Sequence, residues 1–288
     1  MNNNLKTLVL LSGLGAVFVL VGQLLGGTSG ALIALIIAAL MNGAMYFFSD
    51  KLALRSARAV EVEEQQLPNV YSIVRSLAQR ENMPMPKVYL IDSPQPNAFA
   101  TGRNPNHAAV AVTSGILELM NHQELEGVLA HELAHVRNRD ILIASIAATI
   151  AAALSLLARM ALWGGIGGRR RNDALSGIIA LASLILAPIG AAIIQMTISR
   201  AREYQADRSG SEITGSPMAL ASALQKLEAG TARIPMQVNP ATSQLFIADP
   251  LKAFGRSGRG GGLMRMFSTH PPIAERVERL EKMAMGIR

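Results

Sequence analysis

Four stretches of this chain contain no charged residue over about the length needed to cross a lipid bilayer, and they restrict its possible folds more than any other feature. They are Leu8–Leu25, Ala31–Phe48, Ile141–Leu157 and Gly177–Ile198. One such stretch could be a buried core helix, but four together predict an integral membrane protein. A signal peptide explains the first stretch poorly, because a second apolar stretch follows after only a few residues.

Lysine and arginine residues near the ends of the first two stretches predict their orientation. Lys6 precedes the first stretch, and Lys51, Arg55 and Arg58 follow the second. The connection between them, Gly26–Gly30, is short and uncharged. We therefore expect a transmembrane hairpin with both ends on the cytoplasmic side, so that most of the chain faces the cytoplasm.

The second pair of apolar stretches has a basic connection that contains Arg159 and the run Arg169–Arg171. A connection of this kind resists translocation across the membrane. The pair therefore either spans the bilayer despite this charge, or dips into it and returns, or packs against the first hairpin without crossing.

The segment His131-Glu132-Leu133-Ala134-His135 matches the H-E-x-x-H pattern of zinc peptidases. The spacing of apolar residues predicts that Gln123–Arg137 forms a helix buried on one side. Residues four apart share a helix face, so His131 and His135 could bind one metal ion. Glu132 lies about 100° around the helix, where it could act as general base towards a water on that metal. The alternative is a solvated helix whose histidines have no function.

A catalytic zinc site has three protein ligands and keeps a fourth position for water. The chain has no Cys, and Ile141 stands where a third His would complete the H-E-x-x-H-x-x-G-x-x-H pattern. Asp140 lies too close along the same helix to bend back to the metal. Glu203 and Asp207 lie four apart in a predicted helix, so Glu203 would bind the metal and Asp207 would accept an imidazole N–H of a ligating His. The alternative is an exposed acidic helix face that pairs with neighbouring arginines.

A small β-sheet is predicted just before the H-E-x-x-H helix. Asn69–Asn82 has the pattern of an amphipathic helix, and Lys87–Ile91 and Ala108–Thr113 have the pattern of short strands. Asn97–Gly102 lies between these two strands. A strand in this position could take an extended peptide as an added strand. It could equally belong to an ordinary hairpin that covers the helix.

The last third of the chain predicts further helices near Pro217–Ala229 and at Ile273–Met283, the latter with alternating charges on its exposed face. Arg256–Gly262 contains four glycines and predicts a mobile loop. His270 could donate a hydrogen bond to a tetrahedral oxyanion if the chain folds back over the metal. Its spacing equally suits a residue that begins the last helix.

Charge and composition bear on the other classes of function. The net charge is +7, but the basic residues flank apolar stretches and do not form a stripe interleaved with aromatic residues. Nucleic-acid binding is therefore not indicated, and attraction to anionic lipid headgroups explains the charge. The lack of Cys excludes disulfides and thiolate ligands. A metal transporter is disfavoured because the apolar stretches contain neither acidic residues nor His.

Together, these features resemble the HtpX family of membrane-bound zinc endopeptidases, which are relatives of the type I CAAX prenyl proteases. The resemblance covers nearly the whole chain and departs at no motif position. It includes the N-terminal apolar hairpin, Asn97–Gly102, His131–Asp140, Glu203–Asp207 and His270–Pro272.

The resemblance implies roles for particular residues. One zinc ion per chain would be bound by His131, His135 and Glu203, with Glu132 as general base and acid. Asp207 would hold a ligating His, and His270 would contact the transition state. The substrate-binding strand would comprise Asn97, Ala98, Phe99 and Ala100.

The resemblance also implies a place in the cell. The chain would be a multi-pass protein of the bacterial inner membrane that degrades misfolded or damaged membrane proteins under stress. Its partners would be these substrates and the lipid bilayer, with other membrane proteases or chaperones as candidates. The alternatives are a CAAX-type prenyl-protein protease, which would use the same residues, and, less favoured, a non-catalytic metal-binding membrane protein.

The expected fold is therefore mainly helical with a small β-sheet. Residues 1–50 would form the transmembrane hairpin and 141–198 the second apolar helix pair. Residues 51–140 and 199–288 would form the two parts of a zincin-like cytoplasmic catalytic domain, with the H-E-x-x-H helix in the first part and the third ligand in the second.

Overall fold

The structure, a computed structural model, describes residues 3–138, 140–142, 146, 200–236, 238, 243–250 and 271–287. Among the predicted features, the mobile loop Arg256–Gly262 and His270 lie outside these residues. So does the second apolar pair, apart from Ile141, Leu142 and Ile146.

The first helical element, α1 (Asn3–Ser56), is bent into two arms by a break at Gly26 and Gly27. Gly27 has a φ of +59°, a conformation in which a side chain is unfavourable. The two arms run side by side, and a hydrogen bond links them: the Asn42 side-chain amide donates to the Leu11 carbonyl across a 3.0 Å N–O distance. The predicted five-residue connection is thus shorter in the structure, and helix resumes directly after Gly27.

The second arm of α1 contains Gly26–Ala44, a stretch that is long and apolar enough to cross a membrane. The first arm contributes a shorter apolar stretch, Leu11–Leu20. Several large apolar side chains of the second arm are exposed, including Leu32, Ile36 and Leu40. Exposed apolar side chains in such a row are expected where lipid, and not water, is the surrounding medium.

A four-stranded mixed sheet follows α1, with strand order β1-β2-β4-β3. Its strands are β1 (Val60–Glu61), β2 (Lys87–Ile91), β3 (Ala98–Gly102) and β4 (Ala108–Thr113). Strands β2 and β4 are parallel, with Val88 opposite Val110, whereas β3 and β4 are antiparallel, with Ala98 opposite Val112. The edge strand on one side of the sheet is therefore β3.

The central strand β4 is buried along its whole length because both faces of the sheet are covered. Successive side chains of a strand point to opposite faces. Val110 and Val112 belong to the large core shared with the helices. Ala109 and Ala111 belong to a second core that contains Leu54, near the end of α1.

Helices build the rest of the described structure. They are α2 (Pro68–Arg80), α3 (Ser114–Leu119), α4 (His122–Arg137), α5 (Arg200–Thr214), α6 (Pro217–Arg233) and α7 (Ile273–Ala284). Two short 3-10 turns lie at Pro105–His107 and Ser243–Leu245. The architecture is mainly helical with a small mixed sheet, which confirms the predicted fold class at this level. The predicted strands at 87–91 and 108–113 are also confirmed.

Helix α4 lies at the centre of these elements and contacts α2, α5, α6 and β3. A capping box fixes its first turn: the Asn121 side chain accepts from the Glu124 N–H, and the Glu124 carboxylate accepts from the Asn121 N–H. Helix α5 approaches α4 closely at Gly210, where a Cβ atom would lie 2.9 Å from the His131 backbone nitrogen. Only glycine leaves room for this approach, which sets the start of α5 beside the histidines of α4.

Candidate metal centre

Three side chains from two helices meet at one point. His131 and His135 project from α4, and Glu203 projects from the first turn of α5. The Glu203 carboxylate oxygens lie 3.7 Å from His131 Nε2 and 3.5 Å from His135 Nε2. One ligand atom from each residue lies within 4.8 Å of the others. Zinc–ligand bonds of about 2.0–2.2 Å place tetrahedral ligand atoms about 3.3–3.6 Å apart, so this donor set fits a zinc ion.

Two carboxylates orient the imidazoles. His131 Nδ1 lies 2.9 Å from an Asp207 oxygen, and His135 Nδ1 lies 3.4 Å from an Asp140 oxygen. With Nδ1–H donating to a carboxylate, the neutral form of each imidazole has its lone pair on Nε2, directed towards Glu203. Sequence reasoning placed Asp207 beside a histidine but assigned no such role to Asp140.

The position of Arg276 differs from what the sequence predicts for the last helix. The charges of the last helix were expected on its exposed face, yet Arg276 on α7 is completely buried. Its guanidinium donates two hydrogen bonds to Asp207, at 2.8 and 2.6 Å. The spacing of residues in this helix does indicate that Arg276 is buried. Arg276 shares the helix face of Ile273, Val277 and Leu280, and this face packs against the core.

The buried charges around the centre do not cancel. Four carboxylates contribute, and two guanidinium groups oppose them: Arg276, and Arg202 at 3.8 Å from Asp140. With both histidines neutral, as zinc binding requires, two net negative charges remain. The carboxylates belong to Glu132, Asp140, Glu203 and Asp207, each at most 7% exposed. A divalent cation would neutralise this excess, which is costly to leave uncompensated away from water.

The pKa values of the histidines reflect the same charges. Burial lowers the pKa of His131 to about 4, so this imidazole is neutral at pH 7 and available as a ligand. Burial acts to lower the pKa of His135 as well, but the Asp140 hydrogen bond and the charges of Glu203 and Glu132 raise it to about 9. Burial acts to raise the pKa of Asp207, whereas Arg276 and His131 hold it well below its ordinary value.

Glu132 connects this centre to the edge of the sheet. Its carboxylate accepts a hydrogen bond from the Ala100 N–H of β3 across 2.9 Å. Glu132 therefore has a fixed position beside His131 and His135, and it does not point into solvent.

Part of the outer edge of β3 is already hydrogen-bonded to another segment of the same chain, the one around Ile247. The Asn97 carbonyl accepts a hydrogen bond from the Thr113 N–H of β4. Backbone carbonyls of successive strand residues point to alternate sides, so the carbonyls of Ala98 and Ala100 point away from β4. The Ala98 carbonyl accepts from the Ile247 N–H at 3.0 Å, and the Asn97 side chain bonds the backbone of Ala248. Phe99 faces the opposite side of the sheet from the metal centre, where its ring contacts that of Phe246.

Two histidines and a glutamate around one point, with a second glutamate fixed beside them on an H-E-x-x-H helix, define a metal-dependent peptidase. The chain belongs to peptidase family M48, whose model matches residues 64–284. This confirms the predicted metallopeptidase class.

Individual relatives agree. A protein of Desulfatibacillum aliphaticivorans named "Protease HtpX homolog" is 54% identical over 286 residues, which cover 97% of this chain and 89% of the relative. A protein of the same name from Thermodesulfovibrio yellowstonii is 53% identical and covers 98% of this chain and 99% of the relative. The resemblance to the HtpX family, and with it the prediction of a membrane metalloendopeptidase, is thus confirmed.

The fold is similar to that of a distant solved structure, Ste24p of S. mikatae, with a TM-score of 0.50 and 19% identity. The match covers 97% of this chain, but this chain spans only 65% of the length of that one.

We predict that Arg276→Met weakens both stability and metal binding, because it leaves the Asp207 carboxylate buried without its partner. The free energy of unfolding should fall by about 3–5 kcal/mol. Zinc affinity should fall about 10- to 100-fold, because the carboxylate that orients His131 is no longer fixed. Chemical unfolding and competition with a chelator measure the two effects. Arg279→Met on the exposed face of α7 is the matched control, and equal effects of both substitutions would contradict this role for Arg276.

We predict that zinc binding to the metal-free protein strengthens with pH. The pKa of His135 is about 9, so a proton must leave this imidazole before it can bind a metal at pH 7. The binding constant should rise about tenfold per pH unit up to about pH 9 and then level off. Calorimetry in buffers of different ionisation enthalpy should detect about one proton released at pH 7. Binding that does not change between pH 7 and 9 would contradict the prediction.

Proposed function

We propose that this protein is a zinc endopeptidase of the bacterial inner membrane, with its catalytic domain on the cytoplasmic side. The observation that carries the proposal is the cluster of His131, His135 and Glu203, with Glu132 fixed beside it by the edge of the sheet. One zinc ion would be held by these three ligands, which leaves the fourth position for water.

Zinc would supply Lewis acidity, which polarises a peptide carbonyl and makes water a better nucleophile. Glu132 takes the proton of the attacking water and passes it to the leaving amine. The hydrogen bond from Ala100 holds the Glu132 carboxylate at the side of the centre where the substrate arrives. Asp207 and Asp140 keep the two imidazoles in the tautomer that presents Nε2 to the metal.

Strand β3 is the surface on which we place the substrate. An extended peptide can add to a sheet edge through backbone hydrogen bonds. Ile247 already uses the outward carbonyl of Ala98, and Ala248 uses the side chain of Asn97. The Ala100 N–H is bonded to Glu132. A peptide would therefore pair with β3 from the Ala100 carbonyl towards Gly102, unless the segment around Ile247 moves away. The substrate-binding strand predicted from the sequence was Asn97–Ala100. Of these residues only Ala100 remains in the proposed pairing, which extends instead to Gly102.

The membrane location is supported by the apolar arm Gly26–Ala44 and by the basic residues that follow it. Lys51, Arg55 and Arg58 on one side of the span favour a cytoplasmic position for that side. The catalytic domain then lies at the membrane surface, where cytoplasmic segments of damaged or misfolded membrane proteins emerge. The contact of His270 with the transition state stays a prediction from the resemblance.

We predict that Glu132→Gln keeps zinc and loses cleavage, whereas Glu203→Ala loses zinc. A glutamine has the size of glutamate but cannot accept the proton, so the casein cleavage rate should fall by at least about 10²- to 10⁴-fold. Metal content and casein cleavage of the purified variants in detergent measure both outcomes. Glu126→Gln, on the same helix but away from the centre, is the matched control. Zinc retained by Glu203→Ala would show that the third ligand is another residue.

We predict that a membrane-tethered segment is cleaved at least about tenfold faster than the same segment free in solution, because tethering raises its effective concentration at the site. Proteoliposomes that contain the protein and either form of the segment provide the comparison. Equal rates would contradict a membrane-protein substrate. A prenylated CAAX peptide cleaved in preference to both would support the alternative prenyl-protein protease.

A further inference from the structure

A groove lies where the second arm of α1 leaves the apolar stretch and meets the sheet. It has a volume of about 820 Å³ and runs between the α1 side chains from Met41 to Arg55 and the strands β1 and β2. The candidate span ends at Ala44. One end of the groove is therefore level with the apolar part of the helix, and the other reaches the sheet of the catalytic domain.

The α1 wall of the groove is apolar and open. Phe48 and Leu52 line it and are 51% and 47% exposed. Met41, one turn into the candidate span, continues the same surface. Apolar side chains on this scale are not left exposed to water without a reason, and here they run directly into the lipid-facing surface of the helix.

The rim of the groove is positively charged. Lys51, Arg55 and Lys87 line it, and Glu61 is the carboxylate among its lining residues. Lys87 is paired with Glu61 at 2.7 Å, whereas Lys51 and Arg55 form no ion pair with any residue that the structure describes. Even with the neighbouring Asp50 counted, three cations outnumber two carboxylates.

An apolar wall, a basic rim and a position at the end of a span match one class of molecule. An anionic glycerophospholipid has acyl chains that suit the wall and a phosphate that suits Lys51 and Arg55. Basic pockets beside membrane-spanning helices on the cytoplasmic side are typical sites for such headgroups. A zwitterionic lipid offers the same chains but no net negative charge.

We propose that this groove binds one anionic phospholipid of the surrounding bilayer, with its headgroup at Lys51 and Arg55 and its acyl chains along Phe48 and Met41. The inference rests on the membrane location in the proposed function, but it concerns a site separate from the metal centre. The bound lipid would fix the end of α1 against the sheet. A second contact already ties these parts together, because the Arg103 guanidinium, after β3, lies 5.5 Å from the centre of the Phe47 ring.

The first test compares charge variants for lipid retention. The full-length protein in detergent is incubated with phosphatidylglycerol or phosphatidylcholine, and bound lipid is counted by native mass spectrometry. We expect one phosphatidylglycerol per chain, with an affinity that falls about 30-fold in Lys51→Gln/Arg55→Gln. Arg58→Gln/Arg75→Gln removes the same charge outside the groove and should retain the lipid. Equal loss in both variants, or equal retention of the two lipids, would overturn the proposal.

A second pair of variants tests the groove without changing charge. Ala44→Trp fills the apolar wall and should reduce retention of phosphatidylglycerol, whereas Ala39→Trp, exposed on the same arm outside the groove, should not. Equal retention by both would show diffuse attraction to the basic surface and would refute the site. Casein cleavage by these variants should stay at the wild-type rate. A cleaving protein without selective lipid retention refutes this site alone, while retention without cleavage refutes the proposed function alone.

Discussion

The excess of negative charge buried between α4, α5 and α7 is the constraint on which the rest of the centre depends. Glu132, Asp140, Glu203 and Asp207 are all withdrawn from water, and the buried Arg276 together with Arg202 neutralises half of their charge. Once both histidines are neutral, the remaining charge matches that of a divalent cation, and uncompensated buried charges are strongly unfavourable. A metal ion bound here would also join α4 to α5, since its ligands come from both helices.

Charge alone does not bring these groups together; close packing of backbones does. At Gly210 the two helices approach so closely that no side chain fits between them, and this brings Glu203, two turns earlier in α5, to the histidines. On the opposite side of the centre, the Arg276 guanidinium group holds Asp207 through two hydrogen bonds. The Arg276 guanidinium reaches Asp207 because α7 packs against α5 and α6. A helix from the last part of the sequence therefore completes a site whose histidines lie near the middle of the sequence.

Strand β3 joins the chemistry to the surface that would receive a peptide. Its inner side pairs with β4, while its outward groups contact the Glu132 carboxylate at Ala100 and the chain's own Ile247 at Ala98. The same strand thus orients the Glu132 carboxylate, and its pairing with Ile247 would limit how much of the edge the proposed substrate could use. The sheet in turn contacts the end of α1, so the edge strand, the metal centre and the apolar second arm of α1 belong to one connected structure.

Local sequence determined much of this protein. The helical period alone put His131 and His135 on one face, and the same rule put Glu203 and Asp207 on one face of α5. Runs of valine, isoleucine and alanine predicted β2 and β4 at their observed bounds. Length and lack of charge predicted the apolar arms, because the thickness of a bilayer is fixed.

Tertiary structure decided which charges meet. Arg276 reaches His131 across 145 positions, and Asn97 reaches Ala248 across 151, so no local pattern shows that either pair is in contact. The Asp140 carboxylate lies 3.4 Å from His135 Nδ1, and a separation of five residues is not one that the helical period places on the same face. The sequence by itself therefore specified which side chains could bind a metal. Long-range packing decided which charged groups fix them in place, because burial and distance between remote segments exist only in the folded chain.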